Sequence, residues 1–248
     1  MAAAAKGEFM FGFFRRAASP EVALTTCGKR LHEAILEKVK VGNAARVEDL
    51  INTAASILGE CCIAYNGEID PRQHPFQPGD PILSDAMNRL LSGDVAGSEF
   101  AAVPKASIFG LIRDGIRDSG YDAGDFPSLE AVYRNFVANA HGKQEWGWVP
   151  LSVPEQHVPF VRPLQVAYEM RPVVHRACRE CGTMKLRLLS CVYALISILA
   201  MVKDALDRKV ALLLAVETIN GVAKTAPLTD EMMRTLRQQF AGQSKTQA

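Results

Sequence analysis

Apolar residues recur along most of this chain at helical rather than alternating spacing. Ser19-Pro20-Glu21 supplies a capping side chain followed by a proline at the first helical position, and Val22, Leu31, Ile35, Leu36 and Val39 follow at near-helical intervals. Val47, Leu50, Ile51, Ala54, Ile57 and Leu58 share one face of a second helix, predicted from about Ala45 to Tyr65 and stopped by Asn66-Gly67. Ser84 and Asp85 cap a short helix to Leu91. Ser107 caps another, carrying Ile108, Leu111, Ile112 and Ile116 and closed by Ser119-Gly120. Pro127-Ser128 opens a helix whose stripe is Leu129, Val132, Tyr133, Phe136, Val137 and Ala140, with Gly142 as its C-terminal cap. Pro172 predicts the start of a short helix that buries Val173, Val174, Ala177 and Cys181. Residues 184–206 are apolar on all sides, the pattern of a helix surrounded by others. Asp207 starts a further helix through Ala223, making a helical hairpin, and Thr229 caps a last amphipathic helix.

The breaks are as informative. GEIDPRQHPFQPGDP at 67–81 has four prolines and predicts an ordered surface loop. Residues 92–104 are weakly patterned, and 143–163 carry Trp146, Trp148 and four prolines with no helical period. Period-two alternation never runs beyond about five residues. The prediction is an all-α, multi-helix bundle of about seven to nine helices, with a long Pro-rich loop and a C-terminal helical hairpin. It divides into a flexible arm (1–18), an N-terminal helical region (19–142), a Pro/Trp-rich connecting loop (143–163), a C-terminal helical bundle (164–241) separate from or continuous with the first, and a disordered tail (242–248).

Composition narrows the function classes. The 28 basic and 27 acidic residues leave a net charge of +1, so no global field draws the chain to nucleic acid or an anionic membrane. The longest apolar run, 188–202, has 15 residues including two serines, against the roughly 20 that a membrane span needs. In the first segment FMFGFF is only six residues and its arginines follow it, unlike an export signal. It reads as a mobile arm folding back on the core, with a docking peptide for a partner as the second reading. Six scattered cysteines do not make a disulfide framework. A cytoplasmic protein with reduced thiols is expected.

Phosphate-binding GxxxxGK[ST], GxGxxG, HExxH and GxSxG motifs are all missing from the sequence. Two stretches carry candidate chemistry. HRACRECG at 175–182 places a histidine and a Cys-x-x-Cys before a glycine. As a zinc half-site it would use His175, Cys178 and Cys181, with Cys191 or one of Cys61 and Cys62 as a fourth ligand. A redox pair needs its cysteines at a helix N-terminus, where the dipole lowers a thiol pKa. The alternative needs no cofactor: the segment is a helix end, closed by Gly182, with Thr183 capping the next helix.

The second stretch is RNFVANAHG at 134–142. Its Arg134, Asn135 and His141 resemble the Arg-x(4–6)-His signature of HEPN ribonucleases, themselves small helical bundles. The resemblance implies RNA cleavage by Arg134 and His141, with Asn135 as the polar residue after the arginine, usually at a dimer interface. It covers eight residues, and it departs from the family in placement, because His141 is expected in the last helical turn, just before Gly142. The plainer reading is a solvated face with a Glu130–Arg134 pair. The proline loop adds Asp70, Arg72, His74 and Asp80, and Trp146 and Trp148 read as interface anchors or as a cover over the bundle end. With no assembled catalytic set, the expectation is a non-catalytic protein acting through protein–protein interaction or self-association. A helical ribonuclease or zinc protein is the alternative.

Overall fold

Small and polar residues decide which helix is central. In α2 (Val47–Asn66) every residue from Asp49 to Gly59 is buried, because Asn52, Thr53, Ala54, Ala55, Ser56 and Gly59 let neighbours approach from several sides. A computed structural model describes residues 19–67, 76–93, 103–140 and 146–234. The arm 1–18, loop residues Asp70, Arg72 and His74, residues 94–102, His141 with its glycine cap, and 235–248 lie outside the described residues.

The other helices are α1 (Pro20–Val39), α3 (Asp85–Ser92), α4 (Ile108–Ile116), α5 (Leu129–Asn139), α6 (Pro163–Ala177), α7 (Met184–Val202) and α8 (Arg208–Ala223). A ninth starts at Asp230, with its first turn capped by the Thr229 hydroxyl, which accepts from Met232 N. Among the described residues there is no β-strand, and the fold is an all-α bundle. Capping side chains foreseen at Ser19, Ser84, Ser107, Ser128, Thr183 and Asp207 all accept hydrogen bonds from their first-turn amides.

α2 packs on α8, α7, α6, α1 and α3. α7 and α8 are joined by the short connection at 203–207, yet both pack on α2 far more than on each other, so the expected tight hairpin is opened by α2. One continuous cluster of buried residues runs from Cys27 in α1 to Ala223 in α8, drawing on the chain before and after the connecting loop. The proline loop is tied down at its far end by an antiparallel bridge, Pro81 with Thr225, and by backbone hydrogen bonds of Gly79, Asp80 and Ile82 with Ala226 and Lys224.

Several sequence expectations need correcting. Pro172 does not start a helix. Pro163 takes the first position of α6, and Pro172 lies inside it on the exposed side. The wholly surrounded stretches are 49–59 of α2 and 214–223 of α8, whereas α7 keeps an accessible side that includes Met201, 48% exposed. Val22 and Val137, placed on apolar stripes, are exposed. α7 starts at Met184 as expected but ends at Val202, short of the expected 206. By length and composition it is long enough to cross a membrane, although half of its most apolar window is buried in the bundle, as in any core helix.

The α2–α8 crossing depends on Gly59. A Cβ there would sit 2.8 Å from Val222 Cβ and 3.0 Å from the carbonyl oxygen of Ile219, a backbone atom that cannot swing aside. Gly59→Ala gains about 1 kcal/mol of helix propensity, yet overpacking of a tight crossing costs about 1–3 kcal/mol. The variant is expected to unfold at lower urea concentration than the native chain; an equal or higher midpoint would contradict the close approach.

Candidate functional site

The HRACRECG segment is a junction between α6 and α7. Cys178 is the residue after α6 and its amide donates to Val174 O at 2.9 Å, Gly182 turns the chain at a φ of +65°, and Thr183 caps α7. The cysteines thus sit at a helix C-terminus, the end whose dipole disfavours thiolate.

Packing brings five of the six thiols together. Cys27 of α1 meets Cys181, Cys181 meets Cys178, Cys178 meets Cys191 of α7, and Cys191 meets Cys61 of α2. All six cysteines are free and buried. Cys178 lies below the ordinary thiol range, because the Cys191 thiol donates to it and, against its burial, Cys181 and the Arg187 charge assist. Cys191 is pushed well up, first by giving that hydrogen bond and then by its contact with Cys61 and by burial. Burial pushes Cys181 up to about 12, against the help of a 3.4 Å contact with the Ser190 hydroxyl. The contacts run pairwise along a line rather than around one point. Among the described residues no three His, Cys, Asp or Glu side chains are arranged to hold a metal ion.

The proposed ligand set divides accordingly: Cys178, Cys181 and Cys191 are brought together, and His175 is not with them. His175 is exposed and lines an open cavity of about 470 Å³ between α2, α6 and α7. Ile57, Cys61 and Ala167 form the buried floor of that cavity, so Cys61 is the point where the thiol line reaches it. At its side Arg171 pairs with Glu60 at 2.5 Å. Arg187 also lines it, with a buried Nε that no acceptor reaches among the described residues.

Of the ribonuclease residues, Arg134 and Asn135 are among the described ones. Arg134 is 74% exposed along its side chain and ion-paired with Glu130. Asn135 points inward and donates to Glu217 at 2.9 Å. His141 lies outside the described residues. Of the loop candidates, Asp80 is a turn residue: its carboxylate accepts from Gln77 N and its carbonyl from Ala226 N.

Sequence reading missed the connecting loop's partners. Glu217, 2% exposed, accepts from Ser152 N and Oγ, both at 2.7 Å, and from Asn135; its burial still raises its pKa against those bonds. Asp49 accepts from Phe160 N at 2.7 Å, Asn52 donates to Val161 O, and Arg46 donates to Gln156 O and Val158 O. The signal was present as Asp, Asn and Glu inside otherwise apolar helical runs, where buried polar groups are retained only with partners. It missed Lys224 too. That ammonium, on a residue only 4% exposed, lies 3.8 Å from the ring centre of Tyr133, and burial lowers its pKa to about 7.

Comparison with protein-family models, with curated proteins and with solved structures finds no match. The fold and site therefore define a class only: an all-α bundle with a line of reduced thiols ending in the floor of an open cavity.

Two measurements follow from this geometry. Alkylation of the folded chain by a small maleimide, read by peptide mass spectrometry, is expected to modify Cys61 first, since it alone of the thiols lines the cavity and is the most exposed at 7%. Earlier modification of Cys178 or Cys181 would contradict the arrangement. Lys224 gives a pH signature. Below pH 7 it is charged folded and unfolded, and the full cost of burying the charge is present; between 7 and 10.5 the folded state releases the proton first, so stability rises with pH. Lys224→Met is therefore expected to raise Tm most below pH 7, with the advantage shrinking toward pH 10.5. An advantage independent of pH would show that the ammonium is not desolvated.

Proposed function

We propose that this chain is a non-catalytic helical protein that acts by docking a protein surface, either a partner's or that of a second copy, on its connecting loop. One observation carries the reading: Phe160 is 80% exposed although the backbone beneath it is held rigidly. Its amide donates to the buried Asp49 carboxylate, the flanking carbonyls of Val158 and Val161 accept from Arg46 and Asn52, and the Arg46 guanidinium stacks 3.9 Å from the ring centre. An aromatic ring presented on a fixed backbone loses little entropy on docking, which is the property of an interface anchor. Val161, 37% exposed, extends the apolar tip. The near-zero net charge supports association, since little self-repulsion opposes it. Six free thiols support a reducing, cytoplasmic setting. Arg134 and Asn135 are engaged with Glu130 and Glu217, which supports a role without catalysis.

Because the loop is pinned through its backbone, Phe160→Ser is expected to leave folding stability within about 0.5 kcal/mol of the native chain while abolishing association. Sedimentation over a concentration series tests the second-copy case, and cross-linking with mass spectrometry in the native cell tests a partner. Association that survives the substitution in both would overturn the assignment of the loop.

A further inference from the structure

The α2–α6–α7 cavity carries an inference independent of the docking loop. Its volume of about 470 Å³ lies within the range of about 300–1,000 Å³ usual for small-molecule sites. Ile57, Ala167 and Cys61 make its floor apolar, with Val174 and Met184 beside them. Its charged groups do not balance. Among the described residues Arg171 is matched by Glu60, the only carboxylate lining the cavity, and Arg187 has a buried Nε–H with no acceptor. A buried donor on a permanent cation is costly to leave unmatched. An arginine cannot relieve that cost by losing its proton. The cavity thus offers apolar surface for the body of a ligand and, in Arg187, a guanidinium without a carboxylate partner among the described residues for its head.

We propose that this cavity binds a monoanionic amphiphile: a molecule with an apolar body and a single carboxylate, which pairs with the Arg187 guanidinium. One guanidinium matches a carboxylate better than a doubly charged phosphate. The apolar floor excludes a small polar acid as the preferred occupant.

The test is titration of the full-length chain with dodecanoate, followed by calorimetry and by Tm, with dodecanol and inorganic phosphate as comparison probes. Dodecanoate is expected to saturate at one per chain and to raise Tm, with dodecanol about tenfold or more weaker and phosphate without effect. Arg187→Met is expected to bind dodecanoate and dodecanol alike, and without ligand to be no less stable than the native chain. Arg187→Lys recovers part of the preference for dodecanoate. Ala64→Glu, on an exposed rim position, supplies a variant that folds whatever Arg187→Met does. It is expected to weaken dodecanoate by repulsion and to leave dodecanol unchanged. No saturable dodecanoate binding, a preference for phosphate, or an Arg187→Met chain that keeps its preference for dodecanoate each overturns the proposal.

Discussion

The grip of three buried polar side chains on the connecting loop holds the rest of this structure in place. Asp49 and Asn52 of α2 and Glu217 of α8 lie on the two most deeply buried helices, and all three reach out of the core to backbone groups of residues 152–161. Two of the three are carboxylates, whose burial costs several kcal/mol each unless hydrogen-bonded. The loop's amides answer that cost, and the same bonds satisfy an irregular backbone with few partners of its own. The dependence is mutual. Without the loop the central helices bury bare carboxylates; without those helices the loop has no fixed shape and Phe160 no fixed position.

The same central position of α2 explains the thiol line and the cavity. α2 is flanked by α1 and α7 on one side and by α6 and α8 on others, so cysteines on α1, α2 and α7 converge with the α6–α7 junction. Their contacts are those of small, weakly polar side chains filling a core. Where α6 runs past α2, the bundle stays open, and the cavity takes its floor from the same α2 face that ends the thiol line at Cys61.

The helical architecture was legible because it rests on local signals: apolar spacing, capping hydroxyls at Ser19, Ser107 and Thr183, and glycines at 67 and 182 whose φ of +66° and +65° other residues rarely adopt. The identity of the central helix was not. A long apolar run suggested α7, but centrality follows from small residues such as Ala55 and Gly59, which read as unremarkable in one dimension. Pro172 misled for a related reason: proline marks helix starts statistically, and only the exposure of its face makes it tolerable inside α6. The site divides along the same line. The HRACRECG junction could be read from Gly182 and Thr183, whereas the approach of Cys27 to Cys181 depends on how α1 packs against α7, which no local pattern encodes. Arg187 carried no signal at all, since an arginine on a helix is ordinary until its surroundings are known.

Lys224 and Arg187 show how one physical problem receives two solutions in one bundle. Both place a cationic side chain against apolar surface. Lys224 sits over the Tyr133 ring with its pKa lowered to about 7, so it sheds much of the cost by releasing a proton near neutrality. Arg187, as an arginine and unlike a lysine, has no such release. Its cost is relieved only by solvent or by an anion. The structure leaves it beside an open cavity, and it gives the neighbouring Glu60 to Arg171 instead. A lysine at 187 would carry the same electrostatic cost with a proton it could lose. Permanent charge at a place the fold keeps accessible separates a group poised for an anionic partner from one merely tolerated in the core.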